Sequence, residues 1–162
     1  MSLDWPQVSR FTTPEDSVGY LLWQVLHMWQ RQASEGLAAI GLTHMQFTLL
    51  AGLGWLARHG DAPTQAALAA HCQVDAMTVS QVVRKLEAKG FAARTSHPDD
   101  TRAKALSLTD AGMAALTAAL PEIERMDDSF FDPADRERLT GELTKLYRAH
   151  RTGAARPARE AA

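Results

Sequence analysis

Apolar residues along this chain recur mainly at intervals of three and four, the mark of amphipathic helices, and alternate in only one short region. Val18, Leu21, Leu22, Val25, Leu26 and Trp29 share one helical face. Thr13-Pro14, a cap residue followed by proline, predicts that this helix opens there, runs to about Ala39 and is closed by Gly41. Thr43 and Gln46 are spaced as a capping box, in which each side chain serves the other residue's amide. The helix they start carries Phe47, Leu49, Leu50, Leu53 and Leu56. It is apolar round most of its circumference, so it is expected to be buried until Arg58-His59-Gly60 ends it. Further on, Thr109 caps a helix through Leu116 and Leu120, which Pro121 is expected to kink or break. Asp132-Pro133 repeats the cap-then-proline pattern and predicts a last helix through Leu139, Leu143, Leu146 and Tyr147. Residues 1–12 read as an arm whose Trp5 and Phe11 need a partner surface, and the stretch from Thr152 as a frayed tail.

Residues 64–90 read as two short helices joined by a tight turn. Pro63-Thr64 starts the first, Leu68, Ala69 and Cys72 form its apolar stripe, and its alanines let a second helix approach closely. Gln73-Val74-Asp75 makes the turn, with Asp75 placed to cap the second helix by accepting a backbone N–H. Gln73 stands where glycine is usual, so strained backbone is expected there. In the second helix Val79, Val82, Val83 and Leu86 share a buried face. Met77, Gln81, Arg84 and Ala88 then point outward, flanked by Thr78, Ser80 and Lys85. Groups fit to meet base edges and phosphates therefore project from a helix anchored by branched apolar residues. That is the helix-turn-helix arrangement, in which the second helix enters the major groove. A plain surface helical hairpin has the same pattern, and the residues that follow decide between the two.

After Gly90, a helix stop, Phe91 to Ser96 reads as a strand, Pro98-Asp99-Asp100-Thr101 as a turn, and Lys104 to Leu108 as the returning strand. Leu106 and Leu108 alternate with Ala105 and Ser107, so one face can pack on the helices and the other stay wet. Arg102 sits near the hairpin tip, narrow enough to enter a minor groove, with Asp100 placed to brace it. Arg94 and Lys104 add positive charge along the strands. A helix pair followed directly by a basic hairpin is a winged helix, much more specific than either part.

Residues Thr64 to Gly112, with VVRKLEAKGF and DDTRAKALSLTDAG as the matching segments, resemble the core of the MarR family of bacterial transcription regulators. The resemblance implies a homodimer on a pseudo-palindromic operator in double-stranded DNA, repressing by default, with a hinge that responds to a ligand or to oxidation. The expected fold is mainly α with a small β-hairpin wing: a winged helix-turn-helix lobe plus a helical dimerisation region. Residues 1–41 are assigned to an arm and dimerisation helix, 42–112 to the DNA-binding lobe, 113–150 to helices completing the dimer interface, and 151–162 to the tail.

Composition alters this picture in one respect. A length of 162 residues with 46% hydrophobic and 22% charged content fits one soluble domain-sized unit. No secretory signal or membrane-length apolar run is seen, and a single cysteine suits a reducing compartment, so a cytoplasmic protein with no membrane partner is expected. The net charge of −2 is unusual for a DNA binder. Arg84 to Lys104, however, holds six basic and three acidic residues, a local +3 that leaves −5 for the rest. A local patch is what phosphate binding requires.

Other chemistry is sparse. Trp23 and His27, one turn apart, with Met45 and Trp55, could line a pocket for a small aromatic or phenolic effector; core and dimer packing explains the same residues. None of the six histidines forms an HxxxH or HExxH pair, so no metal or cofactor is expected. Cys72 offers a redox-responsive regulator as an alternative, against inert packing in its apolar stripe. A winged-helix protein–protein module is a further alternative, opposed by the retained basic residues. No nucleophile elbow or phosphate-binding loop is present, so an enzyme is not expected.

Overall fold

The computed structural model describes residues 3–60, 63–96 and 104–151. In order, these form α1 (Trp5–Val8), a 3-10 turn (Pro14–Asp16), α2 (Val18–Ala38), α3 (His44–Ala57), α4 (Gln65–Cys72) and α5 (Ala76–Ala88). The strands β1 (Ala92–Ser96) and β2 (Lys104–Leu108) follow, then α6 (Asp110–Phe130) and α7 (Arg136–Arg151). Two compact units result, residues 1–126 and residues 127–162.

The first unit is built on α3, which packs against α2, α4, α5 and β2. Its Leu49, Leu50 and Leu53 are fully buried together with Leu37 of α2, Leu68 of α4, Val79, Val83 and Leu86 of α5, and Leu106 of β2. Each such side chain contributes on the order of 1.5–3 kcal/mol when withdrawn from water. The Thr43–Gln46 box forms as its spacing predicts: the Thr43 hydroxyl accepts the Gln46 N–H at 3.2 Å, and Gln46 Oε1 accepts the Thr43 N–H at 3.1 Å. Leu116, Ala119, Ile123 and Met126 give α6 its buried face. Within the second unit Arg136 pairs with Asp128 at 2.7 Å.

Four expectations need correction, and one local turn is added within the arm. Thr13-Pro14 does not open α2. The Asp16 carboxylate accepts the amides of Thr12 and Thr13, drawing the chain into a 3-10 turn, and Ser17 caps α2 instead. Trp5–Val8 forms one helical turn within the arm. Pro121 does not break α6: it lies on the exposed side, while buried residues on both sides hold the helix together. Asp132-Pro133 lies in a turn closed by the Ala134 N–H on the Phe131 carbonyl, and Asp135 caps α7 by accepting the Arg138 N–H at 3.0 Å. Finally, Ala105 and Leu106 are both buried, at 3% and 1% exposure, so the hairpin does not simply alternate wet and dry. Thr64 bridges to Ala105, and the Leu106 N–H donates to the Pro63 carbonyl at 2.8 Å, so a third segment of chain flanks β2.

The strands pair antiparallel from Ala92 with Leu108 to Ser96 with Lys104. Thr109 ties their base to the helices: its hydroxyl donates to the Gly90 carbonyl and accepts the Gly112 N–H at 3.0 Å. Gly112 is required by space, since a Cβ there would lie 1.8 Å from the Phe91 carbonyl oxygen.

Candidate nucleic-acid interface

Helix α5 starts where the sequence places its cap. Asp75 is extended, and its Oδ1 accepts the Thr78 N–H at 2.8 Å. Hydrogen bonds from the Thr78 side chain, and then from its backbone, hold the Asp75 carboxyl below its ordinary value. The turn before it bends at Gln73, which has φ 52° and ψ 40°, the left-handed conformation glycine adopts most cheaply. Val79, Val83 and Leu86 face the core, and Val82 is half-buried. Met77, Gln81, Arg84 and Ala88 are exposed along the opposite side. Lys85 is also exposed, while Thr78 and Ser80 are half-buried at the edges of that surface.

The far end of the helix is braced by two cations. Lys89 Nζ donates to the Gly41 carbonyl and, at 3.0 Å, to Gln46 Oε1. Its charge is thus directed at the α2–α3 corner, not at solvent along the helix face. Arg94, expected to contact DNA, lies against α5: Nε sits 3.5 Å from Glu87 Oε2 and Nη2 donates to the Ser80 carbonyl at 3.5 Å. The side chain is only 24% exposed, and its buried Nε has no hydrogen bond among the described residues. These contacts pair it with α5. Lys104 opens β2, whereas Asp100, Arg102 and the predicted turn at Pro98 to Thr101 fall outside the described residues.

The order of elements, with a capped and exposed α5 followed by a hairpin, is that of a winged helix-turn-helix. A MarR-family model matches residues 40–103. The helix-turn-helix-type transcriptional regulator YdcH of Bacillus subtilis is 46% identical over 126 residues, covering 78% of this chain and 86% of its own length. The chain belongs to the MarR family. It is a DNA-binding transcription regulator. Solved structures agree on the fold. A probable transcriptional regulator from Pseudomonas aeruginosa has 28% identity and a TM-score of 0.74, over 83% of this chain and 99% of its own. The S. aureus MepR–DNA complex has 25% identity and a TM-score of 0.73, over 85% and 99%.

The MarR-family chain also has a cavity of about 570 Å³ among α3, α4 and α6, lined in part by Trp55, Arg58, His71, Cys72, Met113 and Leu116. Of the residues singled out in sequence for a ligand, Trp55 lines it and Trp23, His27 and Met45 do not. Trp23 and His27 pair with each other instead, ring centroids 4.2 Å apart, on an exposed part of α2. Met45 is exposed near the start of α3. Arg58 was not foreseen. Its guanidinium lies 4.0 Å from the Trp55 ring centroid and donates to the Trp55 carbonyl, beside the apolar wall of α6. Gly52 and Gly54, also at this cavity, let α4 and α6 approach α3 closely: a Cβ at Gly52 would meet Cys72 Sγ at 2.5 Å, and one at Gly54 would meet Leu116 Cδ2 at 2.8 Å. Cys72 is half-buried and donates weakly to the Thr48 carbonyl at 3.8 Å. Burial pushes its thiol up from the ordinary range, opposite to what a thiolate sensor needs.

Among the described residues no cluster of three or more His, Cys, Asp or Glu could hold a metal ion, and no helix is long and apolar enough to cross a membrane.

Proposed function

We propose that this regulator is a homodimeric repressor that reads a pseudo-palindromic operator with α5 in the major groove and leaves it when a small aromatic acid occupies the α3–α4–α6 cavity. The observation that carries the reading is the exposed Gln81–Arg84–Lys85 surface on a helix capped at one end by Asp75 and braced at the other by Lys89. A rigid helix presenting donors and cations is what base-edge and phosphate contacts require. From its sequence position between β1 and β2, Arg102 is assigned to the minor groove, with Asp100 as its brace.

Dimerisation follows from surface that the winged helix leaves unused. Val18, Leu21, Leu22, Val25 and Leu26 of α2 are all exposed, as are Leu143, Leu146 and Tyr147 of α7. Apolar faces of this kind on a soluble protein mark an interface. For the effector, Arg58 would take a carboxylate while Met113 and Leu116 accept the ring. Release of DNA would follow only if the ligand binds one arrangement of lobe and body better than the other.

A gel-shift titration against the DNA upstream of the protein's own gene, over a salt series, tests the reading. Specific binding that weakens steeply with salt supports it. Light scattering should give twice the chain mass. Specific DNA binding by a monomer would contradict the dimeric part, and no specific binding would contradict the whole.

A further inference from the structure

Met77 is anomalous on the surface that carries it. It is the second residue of α5, two positions after the Asp75 cap, and it is 73% exposed. Its companions outward along the helix, Gln81 one turn on and Arg84 a further turn on, are polar or charged. The buried face of the same helix is filled by Val79, Val83 and Leu86, so Met77 has no place in the core. A flexible apolar side chain held in water at the leading turn of a helix gains when an apolar surface covers it.

Double-stranded DNA offers one apolar group of that kind on its major-groove edge, the 5-methyl group of thymine. The first turn of a recognition helix is also the part that reaches base edges in helix-turn-helix docking. We infer that Met77 is a specificity-determining residue that packs against a thymine methyl in each operator half-site, next to the base contacted by Gln81. This rests on the proposed insertion of α5 into the major groove, and adds to it the base that one side chain selects. The contact is made by dispersion and the exclusion of water. It therefore favours T over C, U or a purine at one step without any hydrogen bond.

Deoxyuridine differs from thymidine by that methyl alone, which gives a direct test. The preferred duplex is first selected from a random pool with the full chain. Each thymine in one half-site is then replaced singly by deoxyuridine. One replacement should weaken wild-type binding roughly fourfold, the worth of about one buried methylene-sized group. In Met77→Ala that same replacement should have no effect, while Met77→Leu should keep most of the discrimination. Salt dependence should be alike in all three proteins, because no phosphate contact is altered. If a duplex is selected but no deoxyuridine replacement weakens wild-type binding, or if Met77→Ala is equally sensitive, the thymine contact is wrong while the functional reading stands. If no preferred duplex can be selected, both fail.

Discussion

Lys89 and Gln46, 43 positions apart in sequence, meet with Nζ 3.0 Å from Oε1. The same oxygen accepts the Thr43 N–H, so one buried carboxamide, 4% exposed, both completes the capping box of α3 and anchors the end of α5. Lys89 also donates to the Gly41 carbonyl within the α2–α3 connection. The orientation of α5 is therefore tied to the corner at which α2 hands over to α3.

This tie should be measurable as a coupling. Lys89→Met and Gln46→Leu should each lower stability, and a double-mutant cycle should return about 1 kcal/mol, modest because the lysine is largely exposed. Urea unfolding of the four proteins gives the number. Additive losses would mean the contact does not matter energetically.

Glycine at two positions should behave oppositely. A Cβ at Gly112 would fall 1.8 Å from the Phe91 carbonyl oxygen, so Gly112→Ala must displace the start of α6 from the hairpin and should cost about 3 kcal/mol or more. At Gly141, within α7, a Cβ meets nothing within 4 Å, so Gly141→Ala should stabilise by roughly 0.5–1 kcal/mol. Denaturant midpoints decide both.

The cap on α5 predicts a pH dependence. The Asp75 carboxyl is held below its ordinary value by its bonds with Thr78, so the folded state binds its proton less readily than the unfolded chain. Its stabilisation is therefore complete above the unfolded value and is lost as pH falls through the folded one. Asp75→Asn, which can cap without titrating, should be less stable than wild type at neutral pH. The gap should close as pH falls below about 4. A gap independent of pH from 7 to 3 would assign the effect to something other than this carboxylate.

The local rules proved legible where one residue decides the outcome. Thr43, Asp75 and Thr109 cap the helices their spacing predicts, and β2 has the predicted bounds. Sequence failed where a second group competes. Ser17 and Asp135 took the capping roles read for Thr13 and Asp132, the first because the Asp16 carboxylate draws the amides of Thr12 and Thr13 into a separate turn. Pro121 does not end α6 because its neighbours' burial, a tertiary term, outweighs one missing hydrogen bond. In the candidate site the outward face of α5 was readable from its period alone. The contacts that Arg94 and Lys89 make within the lobe were not, since their acceptors Ser80, Glu87, Gly41 and Gln46 come together only on folding. For the same reason Trp55 was found without Arg58 or His71, its companions at the cavity.

Whether α5 reads sequence is decided by one comparison of affinities. Wild type and Gln81→Ala are titrated against the selected operator and a scrambled duplex at the same salt concentration. Wild type should prefer the operator by about a thousandfold or more. Gln81→Ala should lose about 1–3 kcal/mol on the operator and little on the scrambled duplex, narrowing that preference. Equal loss on both duplexes, or no loss on either, would contradict the claim that this face of α5 meets the bases.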